Sequence, residues 1–207
     1  SIFLIYFLNS SYMDILYVLL GLIIIIFIKY LLFNTTIYNK YKSTGHSLYD
    51  IICKLQIINS KHEIDKKLWL GDFRSALDTD FLKSNNIKLV VNLSKNLNFT
   101  DLDIQKYRVP IHDNRSQESD IGMISHFPYI YTKMKYHLDR NEGVLVHCRA
   151  GMQRSATVVA LYLMKKYKMN FENVKKIIRG KRWIAFYPTV NFIGPIKYFE
   201  NKLSLAI

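Results

Sequence analysis

Cys148 lies between two apolar runs, residues 143–146 (GVLV) and 156–164 (ATVVALYLM), with Arg154 six positions on and Gly151 between them. A loop that leaves a buried strand and enters a helix presents backbone N–H groups with no partner inside the helix, all converging on one spot. The helix dipole adds positive potential there, so the spot suits a phosphate. Gly151 permits a backbone conformation or a close approach that other residues resist. Arg154 carries a planar fork matched to two phosphate oxygens. Cys148 sits at the base of the loop, where the same donors stabilise a thiolate and bring its pKa below the free value of about 8.5. A thiolate held beneath a phosphate is a nucleophile aimed at phosphorus. A lone cysteine is more often a small buried hydrophobe, but the loop around this one favours chemistry.

Such a loop needs a strand before it and a helix after it. Residues 143–147 read as a short apolar strand in the middle of a sheet, and residues 154–167 as the helix. Residues 68–70 (LWL), 87–93 (IKLVVNL) and 105–111 (QKYRVPI) read as further strands. Helices are expected at 78–84, 119–140, 171–179 and 189–203, with Pro128 kinking or dividing the second. The alternation predicts an α/β domain over residues 66–207: a central, mostly parallel sheet of four to five strands flanked by helices.

The N-terminal third differs in character. From Ile15 to Phe33 the only charge is Lys29, and 19 such residues suffice to cross a hydrocarbon core of about 30 Å. Lys29 can snorkel to the headgroups. Lys40 and Lys42, with Tyr30, Tyr38 and Tyr41, put the positive and aromatic flank on the C-terminal side. Residues 1–33 are therefore expected to hold a single transmembrane helix at about 15–33. Residues 34–65 read as a juxtamembrane linker, and the domain is expected to face the cytosol. A cleaved signal peptide fits less well, because no basic segment precedes the run and no small-residue cleavage site follows it.

The net charge is +13, and residues 68–207, with 22 basic and 12 acidic side chains, carry +10 of it. That surface favours anionic partners. Two cysteines far apart, Cys53 and Cys148, make no disulfide framework and fit a reducing compartment. No His or Cys cluster has metal-ligand spacing, so neither a metal nor another cofactor is expected.

HCRAGMQRS at 147–155 resembles the His-Cys-x5-Arg-Ser signature of the cysteine-dependent protein tyrosine phosphatases. LWLGD at 68–72, VVNLS at 90–94, VPIHDN at 109–114, GVLVHC at 143–148 and RSATVVALYLM at 154–164 narrow the likeness to the small dual-specificity phosphatases, over roughly residues 66–203. A bare Cys-x5-Arg match is weak; several flanking motifs in order make this one specific. The resemblance implies a two-step mechanism. Cys148 attacks phosphorus and forms a phosphocysteine. Arg154 and the amides of Arg149, Ala150, Gly151, Met152, Gln153 and Arg154 hold the equatorial oxygens. Asp113 matches the general acid, ahead of its neighbours Asp101, Asp103 and Asp120. Ser155 matches the hydroxyl that favours release of the thiolate, and His147 the histidine that orders the loop. Asn191 and Phe192 resemble a C-terminal motif that reads as packing.

The resemblance points to a phosphorylated protein as substrate, with phosphotyrosine and phosphoserine or phosphothreonine both admitted. A phosphoinositide or other anionic phospholipid is the alternative, although lipid-directed members of the superfamily often carry a second basic residue where Met152 and Gln153 stand here. A 5′-triphosphatase of RNA shares such a loop, but the apolar N-terminus and the matching acid argue against a nucleic-acid partner. The presence of Cys148, Arg154 and Asp113 together argues against a module that only captures phosphorylated partners. A purely structural membrane protein would leave the loop a coincidence.

Overall fold

In the computed structural model, whose residues 58–204 are described here, a five-stranded sheet runs in the order β1-β2-β5-β3-β4. The strands are β1 (Lys61–Asp65), β2 (Leu68–Gly71), β3 (Ile87–Asn92), β4 (Gln105–Arg108) and β5 (Gly143–His147). β5 is central, parallel to β2 on one side and to β3 on the other, and β4 continues the parallel set beyond β3. Only β1 runs antiparallel, paired with β2. The sheet is thus mixed but mostly parallel, as the alternating pattern implies.

The helices are α1 (Thr79–Ser84), α2 (Gln117–Asp139), α3 (Arg154–Tyr167), α4 (Phe171–Lys181) and α5 (Ile193–Ser204). The main core gathers Leu68, Leu70, Leu89, Val91, Val144 and Val146 from the strands with residues of the four longer helices. A second cluster places Ala76, Phe81 and Leu82 against Val90 and Leu145, on strand faces that alternate with the first set. All five residues of β5 are buried, and α3 is buried continuously from Ser155 to Met164. Burial on every side explains why both read as uninterrupted apolar runs.

Three expectations change. Pro128 does not divide α2, which runs unbroken from Gln117 to Asp139. The ring costs one backbone bond, but Met123, Phe127, Ile130 and Met134 on the buried face hold the helix on both sides of it. Residues 189–192 are not helical, and α5 starts only at Ile193; the preceding backbone is held by the Gln153 side chain of the Cys148 loop instead. The structured unit also starts before the expected boundary, because β1 lies within residues 34–65 and adds an edge strand. Among the described residues no helix is long and apolar enough to cross a membrane. The expected span at 15–33 and Cys53 lie outside the described residues.

Candidate active site

β5 ends at His147 at the carboxyl edge of the sheet, and α3 begins at Arg154. Parallel sheets place their binding crevices at this edge. Gln153 is the N-cap of α3 and provides no side-chain cap, so the first-turn amides are left for the loop's own purpose. Gly151 has φ +65°, and a Cβ there would lie 2.6 Å from the Gly71 carbonyl oxygen and 2.8 Å from Arg182 Nη2. Both the turn and the close approach require glycine.

Cys148 is a free thiol, buried at the base of this loop. The Gly151 amide donates to its Sγ at 3.3 Å, and the Ser155 hydroxyl donates to it at 3.2 Å. Burial pushes the thiol pKa up. The Arg154 guanidinium, the Ser155 hydroxyl and the amides of Ser155 and Gly151 together outweigh burial and hold the pKa below its ordinary value.

Arg154 is steadied from behind. Its Nη1 donates to the carbonyl oxygens of Ile111 at 3.1 Å and Leu93 at 3.4 Å. Its Nε lies 3.4 Å from Asp113 Oδ2 without hydrogen-bond geometry. The guanidinium is thus fixed between the loop after β3, the loop after β4 and the Cys148 loop. Arg149 is exposed, and its carbonyl accepts the Phe73 amide at 3.3 Å.

Asp113 lies on the loop from β4 to α2. Asn114 folds that loop, accepting the Ser116 amide at 3.2 Å and the Ser119 hydroxyl at 3.0 Å, and Ser116 caps α2. Asp113 is one-third exposed, so its carboxylate is open to a reacting group. Among the rival acids, Asp120 lies in the first turn of α2 with its carboxylate against Gly194, where burial raises its pKa. Asp103 lines a groove with Lys88 and His137, where the strands begin rather than end. Of the four acids considered, Asp113 is the one paired with Arg154.

His147 is fully buried, and burial first, then the charges of Arg108 and Arg154, lower its pKa to about 4. It is neutral at physiological pH and adds no charge to the thiolate. Neither ring nitrogen makes a hydrogen bond of good geometry.

Among the supporting residues Arg182 carries no sequence signal of its own, and the side-chain roles of Gln153 and Asn191 differ from their reading in the sequence. Arg182, wholly buried, donates through Nε to the Gly151 carbonyl and through Nη2 to the Ala150 carbonyl, each at 2.9 Å. Its Nη1 donates to Asn59 O at 2.9 Å and to His62 Nδ1 at 3.1 Å. With its carbonyls drawn backward, the loop turns its amides forward. Gln153 is buried and binds the segment before α5: Nε2 donates to the carbonyls of Tyr187 at 3.0 Å and Thr189 at 2.8 Å. Asn191, which reads as packing in the sequence, donates to Asp113 Oδ1 at 2.9 Å. Phe192 is packing, fully buried in the core.

A site with this layout can form a thiolate, hold an oxyanion over it and offer a carboxyl group from the side. Among the described residues no cluster of three or more His, Cys, Asp or Glu could hold a metal ion.

Comparison with known proteins agrees with the geometry. The family model for the dual specificity phosphatase catalytic domain matches residues 68–202. Dual specificity protein phosphatase 1B of Arabidopsis thaliana is 36% identical over 141 residues, covering 68% of this chain and 82% of that protein. Human dual specificity protein phosphatase 6 is 33% identical over 147 residues, 70% of this chain but 37% of that protein. Among solved structures, human DUSP28 is similar with a TM-score of 0.64 and 22% identity, covering 70% of this chain and 96% of that one. PTPMT1 in complex with PI(5)P is similar with a TM-score of 0.58 and 18% identity, covering 72% of this chain and 99% of that one. The chain belongs to the dual-specificity phosphatase family, and it carries that family's catalytic domain.

Proposed function

We propose that the chain is a membrane-anchored phosphatase that hydrolyses phosphotyrosine and phosphoserine or phosphothreonine in proteins through a phosphocysteine. The observation that carries this reading is the thiol of Cys148, hydrogen-bonded by Gly151 and Ser155 and facing Arg154, with Asp113 beside that arginine. In the first step the thiolate attacks phosphorus. The S–P bond forms, the ester P–O bond breaks, and Asp113 gives its proton to the leaving oxygen. The loop amides and Arg154 meet the charge that spreads over the equatorial oxygens. In the second step Asp113 takes a proton from water, the water oxygen bonds to phosphorus, and Cys148 leaves as thiolate. The Ser155 hydroxyl stabilises that leaving group.

Relatives whose names say protein phosphatase support a phosphoprotein substrate. The inward commitment of Gln153 supports it too, since that side chain is bound to backbone carbonyls rather than available to a headgroup. The apolar run at 15–33, with its basic and aromatic C-terminal flank, supports a single-pass anchor with the domain in the cytosol. A phosphoinositide or another anionic phospholipid is the second reading, favoured by the likeness to PTPMT1 solved with PI(5)P and by the basic domain.

The test is phosphate release by the full chain in detergent, beside Cys148→Ser, on a doubly phosphorylated Thr/Tyr peptide and on a phosphoinositide in micelles at equal concentration. Cys148-dependent release mainly from the peptide is expected. Release mainly from the lipid would move the function to the second reading.

A further inference from the structure

We propose that Asn191 is a positioning residue for the acid step: it fixes which oxygen of Asp113 carries the transferable proton. This inference rests on Asp113 being the general acid. The carboxamide of Asn191 makes two hydrogen bonds. Its Oδ1 accepts from Arg115 Nε at 2.9 Å, and its Nδ2 donates to Asp113 Oδ1 at 2.9 Å. The guanidinium of Arg115 can only donate, so the oxygen of Asn191 must face Arg115 and the NH₂ must face Asp113. In a protonated carboxyl group the carbonyl oxygen is a better acceptor than the hydroxyl oxygen, so an NH₂ donor favours the form with its partner oxygen unprotonated. Oδ1 of Asp113 is thereby held as an acceptor, and the proton of the acid form goes to Oδ2. Oδ2 is the oxygen on the Arg154 side, 3.4 Å from Nε of that arginine. The proton is placed toward the phosphate cradle instead of being shared between two faces of the carboxyl group.

Asn191 is itself held by the signature loop. Its backbone amide donates to Gln153 Oε1 at 3.1 Å, and the amide group of Gln153 binds the Tyr187 and Thr189 carbonyls. Arg115 closes the circuit with a second bond, Nη2 to Thr189 Oγ1 at 2.9 Å. The segment 187–191 therefore joins the loop that binds phosphate to the loop that carries the acid. This use of the segment also accounts for its irregular backbone, since a helix from residue 189 would withdraw these groups into its own bonds.

The test is steady-state kinetics of the full chain with two substrates, an aryl phosphate with a good leaving group and an alkyl phosphate with a poor one. Asn191→Leu keeps the branched shape and removes both side-chain hydrogen bonds. It is expected to lower kcat about tenfold for the alkyl ester and less than about threefold for the aryl ester, with KM unchanged, a loss smaller than the roughly 10²–10⁴-fold scale of acid catalysis as a whole. In an Asp113→Asn background the same substitution is expected to add no leaving-group dependence. Arg115→Met alters an exposed side chain and should give a smaller loss of the same pattern, which keeps the test open should Asn191→Leu fold poorly. Equal losses on both substrates, or a selective loss that persists without the Asp113 carboxyl, would overturn the inference. If Asp113→Asn itself showed no leaving-group dependence, the acid assignment would fall first, and the role of Asn191 with it.

Discussion

The hydroxyl of Ser155 donates to the sulfur of Cys148 at 3.2 Å, from the first turn of the helix that the thiolate faces. In the proposed mechanism this one bond serves both halves of the reaction. It favours the thiolate before attack and again when sulfur leaves phosphorus. Ser155→Ala should raise the pH at which iodoacetate alkylates Cys148 half-maximally, by about one unit, the size of a hydrogen bond to a charged group of about 1.5 kcal/mol. The sign follows from the lowered thiol pKa: the folded chain reacts at lower pH than its unfolded form, and loss of the hydroxyl moves it back toward the unfolded value. The same variant should show a burst of aryl alcohol before a slow steady state. Unchanged alkylation and no burst would remove Ser155 from the second step.

Asp113→Asn should lower kcat for an alkyl phosphate by about 10²–10³-fold while a good aryl leaving group loses far less. Stopped-flow release of the two alcohols measures this. Equal losses would assign the acid to another carboxyl, such as Asp120.

Arg182→Met should destabilise the domain by about 2–4 kcal/mol, because the carbonyls of the buried Gly151, the half-buried Ala150 and the exposed Asn59 would lose a charged donor, the first of them out of reach of water. Denaturant unfolding checks this. Affinity for inorganic vanadate should fall as well, since the loop amides lose the hold that orients them. A variant of full stability and full vanadate affinity would show that Arg182 is not what holds the loop.

Removal of residues 1–33 should transfer the protein from the membrane fraction to the supernatant of lysed cells, with the kinetics of the domain unchanged. Recovery in the membrane fraction after that deletion would contradict the anchor.

The sequence made the centre of the site legible and left its supports hidden. β5 and α3 fall where the apolar runs place them, because both are buried along nearly their whole length. Cys148, Gly151 and Arg154 declare themselves by spacing, and Ser155 by the family resemblance. β1 does not: KHEID buries only Ile64, and its strand conformation comes from pairing with β2, a long-range bond that composition does not record. Arg182 is one of 29 basic residues, and only the fold shows that its guanidinium ends behind Ala150 and Gly151. Gln153 and Asn191 were visible as motif positions, but their bonding partners lie 34 to 78 residues away. Pro128 does not divide α2, because four core side chains hold the helix on both sides of it and propensity weighs only the lost backbone bond.

The most direct test of the central claim is to trap the intermediate. The full chain would be mixed with a phosphotyrosine peptide, quenched in acid within milliseconds, digested and sequenced by mass spectrometry. The account predicts a phosphoryl group on the sulfur of Cys148, more abundant in Ser155→Ala and absent from Cys148→Ser. Turnover that continues in Cys148→Ser, or a phosphoryl group found on another side chain, would contradict it.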